Sequence, residues 1–358
     1  MASGLSDVID IALVVPERGP AGIYGPSCVA SARLAVDEIN QGGGILGRQV
    51  RLRLVDGGRA PREVAREVQA LVRTGAVEAV TGWHTSAVRQ ELVPAVRAKI
   101  PYVYTAVYEG GECSPGVFLT GETPKRQVLP ALRWMARELG ISDWCIVGDD
   151  YIWPRVSARV ARCHSAHCGA RIVDELFVPV GTEEFGPALR RIERSRAQGV
   201  LMFLLGSDAV RFNRAFTEMR LHDHMIRFSP LMDENMLLAT GSANAHHLYS
   251  AAGFFETMAT ADSMDFERRY VAKYGPSAPA LTSQGESCFE GLTLLARLSE
   301  RAGSTELGPM CRAADESVAY DGPRGAVRMQ GNHLVQQIYL ARAEGLEFDV
   351  LCQITAGA

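Results

Sequence analysis

Four side chains that commonly bind metal ions, those of Cys163, His164, His167 and Cys168, occur within six consecutive residues of this sequence. Thiolates and imidazoles clustered in this way would suit a zinc site. On a helix, however, Cys163 shares a face with His167 and His164 shares a face with Cys168, and the two faces point apart. We therefore interpret the cluster as the last turn of a helix that Gly169 ends, and we expect no metal site.

The glycine-rich segment 42–47 matches the GxGxxG pattern that binds dinucleotides. It follows a predicted helix and precedes a predicted strand, which reverses the context that a dinucleotide needs. The chain also lacks a Walker loop, a GxSxG nucleophile turn and an HExxH motif. We therefore expect no cofactor and no enzymatic activity, and an enzyme on this fold is the least favoured class of function.

Polar and aromatic side chains instead cluster directly after predicted strands, in segments 82–86, 104–110, 148–154 and 206–208. Open parallel sheets bind ligands at the carboxyl ends of their strands. Ser86 in addition opens a predicted helix, whose free N–H groups and positive dipole end favour a carbonyl oxygen or a carboxylate. The sequence therefore predicts a small-ligand site between two such sheet edges.

Two successive arrays of alternating strands and helices would position these residues. The first is predicted to contain strands 8–15, 49–56, 79–81 and 102–104 and helices 27–40, 61–74 and 86–98. The second follows a polar stretch at 109–124 and is predicted to contain strands 144–148, 172–178, 200–203 and 248–252 and helices 126–138, 153–167, 185–196 and 209–219. Helices at 265–274 and 284–301 and alternating segments at 326–329, 335–343 and 348–354 complete the chain. This order predicts an α/β fold with two doubly wound parallel-sheet lobes.

The composition is that of a folded globular protein, since 47% of the 358 residues are hydrophobic and 22% are charged. Lys plus Arg number 37 against 41 Asp plus Glu, and this net charge of −4 gives no general attraction to nucleic acid. The eight cysteines are dispersed without a CxxC spacing, which argues against a disulfide framework and favours a reducing compartment. Residues 1–15 have no basic flank and resemble neither a signal peptide nor a membrane span. We therefore expect a cytoplasmic location, the alternative being a periplasmic protein or cell-surface lipoprotein whose leader has been removed.

Four groups of motifs are spread over nearly the whole chain. They are Asp-Glu-Ile-Asn at 37–40 with Gly-Gly-Ile-Leu-Gly-Arg at 43–48, Tyr-Glu-Gly at 108–110 with Ser-Pro at 114–115, Asp-Tyr-Ile-Trp-Pro-Arg at 150–155, and Pro-Arg-Gly-Ala-Val-Arg at 323–328 with Asn-His at 332–333. Together they resemble the type I periplasmic binding proteins of the leucine/isoleucine/valine-binding class. Within that class the sequence is most similar to the amide-sensing regulators of bacterial amidase operons and to urea and short-chain amide binders.

The resemblance implies two lobes joined by a three-strand hinge, which close on a ligand by hinge motion. The chain would cross between the lobes near 121–125, 252–256 and 326–333. Lobe 1 would comprise residues 1–122 and 254–327, and lobe 2 would comprise 123–253 and 328–358. The ligand cleft is expected between the lobes.

The resemblance also implies the residues of the site. Ser86 would hydrogen-bond the carbonyl or carboxylate of the ligand, and Tyr151 and Trp153 would cap the ligand from lobe 2. The sequence departs from the amide sensors at His84 and Ala106, where those proteins have aromatic and Thr side chains. His84 would accept a hydrogen bond from an amide N–H or, when protonated, would pair with a carboxylate. The other ligand-binding residues implied are Thr85, Tyr104, Thr105, Ala106, Ser207 and Asp233.

The function implied is that of an amide-responsive sensor, which binds a small polar amide, urea-like or amino-acid-like ligand and regulates a protein partner. The alternative is the substrate-binding component of an ABC transporter for amides, urea or branched-chain amino acids, with a permease as its partner. Neither interpretation requires contact with nucleic acid or a membrane span. Both interpretations are compatible with a homo-oligomer.

Overall fold

The computed structural model describes residues 7–315 and 318–354, of which residues 8–119 form an array of βα units. The elements are β1 (Val8–Val15), α1 (Gly25–Gln41), β2 (Gln49–Asp56), α2 (Pro61–Arg73), β3 (Ala79–Gly82), α3 (Ser86–Val96), β4 (Tyr102–Tyr104) and β5 (Val117–Leu119). These strands pair in parallel in the order β2-β1-β3-β4-β5. The second half of β1 is fully buried because helices cover both faces of the sheet.

The middle of the chain repeats this architecture. Its elements are α4 (Val128–Glu138), β6 (Asp143–Asp149), α5 (Ile152–His164), β7 (Arg171–Val178), α6 (Gly186–Ser195), β8 (Gly199–Phe203), α7 (Gly206–Glu218), β9 (Ile226–Ser229), α8 (Glu234–Thr240) and β10 (Leu248–Ala252). The strands again pair in parallel, in the order β7-β6-β8-β9-β10. In each sheet the strand order reverses next to the first strand of the array, which is where open α/β sheets bind ligands.

The remainder of the chain contributes to both sheets. Its elements are α9 (Ala261–Tyr274), α10 (Ser283–Ala302), α11 (Leu307–Asp315), β11 (Ala319–Gly322), β12 (Gly325–Gln330), β13 (His333–Val335), β14 (Ile338–Glu344) and β15 (Glu347–Ile354). Strand β13 pairs in parallel with β5, and β12 and β11 continue the first sheet antiparallel. Strands β14 and β15 extend the second sheet antiparallel beyond β10. Both sheets are thus mixed at one edge, and the two predicted doubly wound lobes are confirmed.

The chain passes between the sheets three times, after β5, after β10 and after β13. We call the part around the first sheet lobe 1 and the part around the second sheet lobe 2. The third crossover was predicted at 326–333, with residues 328–335 in lobe 2. That boundary is wrong, because β12 and β13 hydrogen-bond within the first sheet and the chain changes sheet only at residues 336–337.

A buried ionic network ties the crossovers together. The guanidinium of Arg324, 1% exposed, donates from Nη1 to Glu122 in the first crossover at 3.0 Å and from Nε to Glu286 on α10. Glu122 also accepts from the backbone N–H of Gly253, in the second crossover, at 2.8 Å. Burial raises the pKa of Glu286 and of Glu290, one turn further along α10. The Arg324 guanidinium therefore links the first crossover to α10 of lobe 1, and Glu122 links the first crossover to the second.

No helix among the described residues is long and apolar enough to cross a lipid bilayer.

Candidate ligand-binding site

The carboxyl ends of the two sheets face each other across a closed cleft. A cavity of about 180 Å³ lies there, with walls from both lobes. Lobe 1 contributes Trp83, His84, Thr85, Ser86, Tyr104, Ala106 and Val107, and lobe 2 contributes Tyr151, Trp153, Leu205 and Leu231. Eight of the ten predicted ligand-binding residues lie in or beside this set, and seven of them line the cavity.

The end of β3 positions the first wall. Gly82 has φ of 131°, and a Cβ there would overlap the carbonyl oxygen of Val14 on β1, so only glycine fits at this point. The chain then enters α3 with Thr85 as the N-cap and Ser86 as the first helical residue. The Thr85 side chain makes no capping hydrogen bond. The free N–H groups of the first turn are therefore available to an acceptor in the cleft.

The Ser86 hydroxyl donates to Oε2 of Glu109 at 2.6 Å, and the other carboxylate oxygen accepts from Arg89 at 2.6 Å. Arg89 and Glu109 form an ion pair whose side chains are only 4% and 5% exposed. The Arg89 guanidinium also lies 5.5 Å from the centroid of the Tyr104 ring and 5.1 Å from that of Tyr108. Sequence reasoning quoted Glu109 as part of a family motif but missed this pairing, for which the spacing gave no signal.

Both ring nitrogens of His84 form hydrogen bonds within lobe 1. Its Nδ1 lies 3.0 Å from the carbonyl oxygen of Val14, so Nδ1 must donate, and Nε2 accepts from the Tyr102 hydroxyl at 2.6 Å. Burial lowers the pKa of His84 to about 4. The ring is therefore neutral and both nitrogens are engaged, which does not fit the predicted pairing of a protonated His84 with a ligand carboxylate.

The end of strand β4 and the two residues after it hold three further predicted site residues, whose side chains point in different directions. The Tyr104 hydroxyl donates to the carbonyl oxygen of His84 at 2.8 Å, and the ring faces the cavity. Ala106 lines the cavity as well. The Thr105 side chain instead contacts α10, where its Oγ1 lies 3.9 Å from Cys288 Sγ and its methyl group packs against Gly291. The backbone of Thr105 therefore lies beside the cavity, whereas its side chain points toward α10.

The wall of lobe 2 starts at the end of β6. Asp149 accepts from the backbone N–H of Leu205 at 2.7 Å and so joins the ends of β6 and β8. Tyr151 follows as the N-cap of α5, and Trp153 stands one residue inside that helix. The two rings are 6.3 Å apart, and Trp153 packs edge-on against Phe203 at 5.5 Å. Lobe 2 thus presents an aromatic surface that the packing beneath it holds in place.

Two predicted residues of lobe 2 lie away from the cavity. Ser207 accepts from Arg211 at 3.4 Å on the first turn of α7. Asp233 is the N-cap of α8, where Oδ1 accepts from the backbone N–H of Met236 at 2.8 Å. Burial raises the pKa of Asp233 to about 7, and its Oδ2 has no hydrogen-bond partner. The structure does not bring these two side chains to the cavity between the lobes.

A second cavity of about 270 Å³ shares Trp83, Val107 and Leu231 with the first and extends toward the crossovers. The space in which a water centre fits is about 10 Å³ in each cavity, which is room for about one water molecule. Contacts across the cleft explain this tightness. Tyr24 of lobe 1 accepts from the backbone N–H of Gly206 at 2.8 Å and donates to Met236 Sδ at 3.2 Å. The lobes must therefore separate to admit a ligand.

Within the described residues, no group of three or more His, Cys, Asp or Glu side chains is placed to hold a metal ion. In the sequence cluster considered above, Cys163 is exposed while Cys168 is buried beyond the end of α5. The site consists of hydroxyls, aromatic rings, an ion pair and a helix N-terminus. Such groups bind and orient a small molecule.

The family described as periplasmic binding protein matches residues 8–347 of this sequence. The chain belongs to the periplasmic binding protein family. The leucine/isoleucine/valine class and the two-lobed fold inferred from the motifs are both confirmed. The relatives of this binding protein carry and bind ligands and are not enzymes, in agreement with the expectation from its motifs.

A curated relative of this binding protein is the Leu/Ile/Val-binding protein homolog 6 of Brucella melitensis, which is 25% identical over 354 residues and covers 95% of this chain and 88% of its own length. Among solved structures, the branched-chain amino acid transporter substrate-binding protein LivJ of Streptococcus pneumoniae, in complex with isoleucine, has a TM-score of 0.84 at 19% identity and 97% and 99% coverage of the two chains. A solute-binding protein of an ABC transporter from Rhodopseudomonas palustris, in complex with 3,4-dihydroxybenzoic acid, has a TM-score of 0.84 at 19% identity and 98% coverage of both chains.

The cytoplasmic location predicted from the N-terminal residues and the dispersed cysteines is wrong. The family and its relatives are periplasmic binding proteins, which points to a periplasmic or extracellular location. Cysteine spacing misled the prediction because eight separate thiols are compatible with either compartment.

Proposed function

We propose that this periplasmic binding protein is the substrate-binding component of an ABC transporter and that its ligand is a small carboxylate with an apolar body. The cavity between the lobes carries the proposal, because it joins the open N-terminus of α3 to aromatic and aliphatic walls. A helix N-terminus favours a carboxylate through its free N–H groups and its dipole. The aromatic and leucine side chains favour an apolar remainder.

Two ligand classes satisfy this description, branched-chain amino acids and aromatic acids. The relatives support both, since one is named as a Leu/Ile/Val-binding protein homolog and two solved structures hold isoleucine and 3,4-dihydroxybenzoic acid. In the closed state the cavity has room for only about one water molecule, so the ligand on which the lobes close is a small molecule. None of the relatives named above is an amide sensor, so the transporter alternative replaces the amide-sensing interpretation.

Matched ligand pairs test the carboxylate. Protein stripped of ligand by unfolding and refolding is titrated with leucine and leucinamide and with benzoate and benzamide, with urea and acetamide added as short amides, while thermal unfolding is recorded. We expect at least one carboxylate to raise the unfolding temperature, since a ligand at 100 times its Kd stabilises the folded state by about 2.7 kcal/mol. Its amide partner should bind at least 10-fold more weakly. Equal or tighter binding of the amides would contradict the proposal.

The transporter assignment has a separate test. Uptake of the radiolabelled ligand is measured in cells with and without the gene for this protein. We expect uptake at low ligand concentration to fall at least 10-fold when the gene is deleted and to return when it is restored. Unchanged uptake of a ligand that the purified protein binds would overturn the transport role and leave the binding result intact.

A further inference from the structure

Two buried thiols outside the ligand site, those of Cys28 on α1 and Cys288 on α10, lie beside each other in lobe 1. Both side chains are 0% exposed. Cys28 Sγ lies 3.4 Å from the carbonyl oxygen of Gln284. In an α-helix that carbonyl accepts the N–H of residue 288, four positions on, and the side chain of residue 288 leans back toward it. The Cys28 sulfur therefore lies at the turn of α10 over which the Cys288 side chain projects.

The two helices approach closely at this point. A Cβ on Gly285 would overlap Ser27 Oγ and lie 3.0 Å from the Ser27 carbonyl oxygen, so no side chain separates the helices there. The Thr282 hydroxyl donates to Ser27 Oγ at 3.1 Å and fixes the start of α10 against α1. A disulfide needs Cα atoms within about 4.4–6.8 Å, and the small Gly and Ser side chains at this crossing permit so close an approach of the two helices.

We propose that Cys28 and Cys288 form a disulfide bond that links α1 to α10 in the mature protein. The family is periplasmic, and disulfides form and persist in oxidising compartments of that kind. Loss of two electrons and two protons from the two thiols is balanced by a disulfide-bearing oxidant, either a thiol–disulfide oxidoreductase or oxidised glutathione, which is reduced to two thiols. One cysteine thiolate attacks the oxidant to give a mixed disulfide and release one thiol, and the second cysteine then displaces the other thiol.

Burial decides when this exchange takes place. Burial, together with the neighbouring Cys288 thiol, holds the pKa of the Cys28 thiol well above its ordinary value, so almost no thiolate exists in the folded lobe. An oxidant also has no path to either sulfur, since both are fully covered. The bond therefore has to form while the chain folds, before α10 settles on α1. Reduced protein that is already folded should resist oxidation.

The test compares two routes to oxidation. Unfolded, reduced protein is refolded with a mixture of oxidised and reduced glutathione, and folded, reduced protein is exposed to the same mixture. Thiols are then counted in denaturant, and unreduced proteolytic peptides are mapped by mass spectrometry. We expect the sample that was refolded with glutathione to contain a peptide pair joined through Cys28 and Cys288. The sample that was already folded when it met glutathione should lack this peptide pair.

Variants complete the test. Cys145→Ser, at a thiol buried in lobe 2, should keep the joined peptide pair, whereas Cys28→Ser and Cys288→Ser should each lose it and leave the remaining cysteine reduced. The disulfide-bonded protein should also unfold at a higher temperature than the same protein refolded in the presence of reductant, because the bond closes a long loop. Refolded wild-type protein that retains both thiols, or that joins either cysteine to another partner, would overturn the proposal.

Discussion

The Ser86 hydroxyl at the start of α3 donates to a carboxylate of its own protein, because Glu109 lies 2.6 Å away and is itself held by Arg89. A buried carboxylate without such donors would be strongly destabilising. The arrangement uses the single hydrogen of the Ser86 hydroxyl and leaves the backbone N–H groups of the first turn of α3 available to an acceptor in the cleft. A ligand carboxylate can therefore bind at α3 without displacing the ion pair.

Loss of the Ser86 hydroxyl is expected to weaken ligand binding while leaving the protein folded. Ser86→Ala removes the hydrogen bond to Glu109 that holds the start of α3 in place; the bond contributes about 0.5–1.5 kcal/mol, and a loss of that size in ligand binding is a roughly 2- to 10-fold rise in Kd. Tyr151→Ala removes part of the aromatic wall and should cost about 2 kcal/mol, or about 30-fold in Kd. Isothermal titration with the carboxylate found in the ligand screen measures both.

Ser207→Ala is the matched control, because Ser207 contacts Arg211 and does not line the cavity. Its Kd should equal that of the wild type. If Ser207→Ala weakens binding more than Ser86→Ala, the ligand binds elsewhere in the cleft.

At the residue scale, the sequence predicted seven of the residues that line the cavity but not the orientation of their side chains. Ser86 and Tyr151 could be predicted to lie at the cavity because each follows a strand and starts a helix. His84 has the same sequence context, yet it points into lobe 1 and bonds to Val14 and Tyr102. Which way a side chain turns after a strand depends on contacts with distant segments, and no local pattern encodes those contacts.

The elements were predicted to the extent that they were long and regular. The bounds of β1 and β2 agree with the predicted strands because alternation or a continuous apolar run covers eight residues in each. Strands β5 and β9 were missed, since three and four residues are too few to show a period. The sheet assignment of β12 and β13 was missed because pairing partners, such as His333 with Leu119, lie far apart in the chain.

The stability of the crossovers that join the two lobes depends on the side chain of Arg324. We expect Arg324→Met to lower the free energy of unfolding by about 3–5 kcal/mol, because it leaves Glu122 and Glu286 buried without their cation. Adding Glu286→Gln to Arg324→Met should recover part of the loss by removing one of those charges. Urea denaturation measures all three proteins.

Arg342→Met serves as the control for Arg324→Met. Arg342 pairs with Glu344 at 3.3 Å and Asp349 at 3.6 Å, but its side chain is 43% exposed. Exposed pairs contribute about 0–1 kcal/mol. Equal losses for the two arginine variants would show that the buried network has no special role at the crossovers.

Closure of the whole molecule brings the first turn of α7 in lobe 2 against the 3-10 helix Pro20–Tyr24 in lobe 1. The contact point is Gly206. A Cβ there would overlap the carbonyl oxygen of Pro20 and lie 2.5 Å from Ile23 Cγ2. The absence of a side chain at this position therefore allows the lobes to close fully.

Gly206→Ala is expected to hold the lobes apart. Alanine suits the first turn of a helix, so the variant should fold. Its Kd for the ligand should rise at least 10-fold, and its radius of gyration in saturating ligand, measured by small-angle X-ray scattering, should stay near the ligand-free value.

Gly186→Ala is the matched control for Gly206→Ala. Gly186 starts α6 in the same lobe, and its Cβ would meet only the flexible end of Arg190 at 3.4 Å. This variant should close and bind as the wild type does. Wild-type affinity in Gly206→Ala would show that closure does not pass through this contact.

The order in which the chain supplies its strands affects the growing polypeptide. β5 and β10 are edge strands until β13 and β14 arrive, and those two strands come from the stretch His333–Val335 and the stretch Ile338–Glu344. Unpaired strand edges are templates for aggregation. During synthesis both half-built sheets therefore present an open edge at the same time, and the emerging chain needs protection from other chains until β13 and β14 are available.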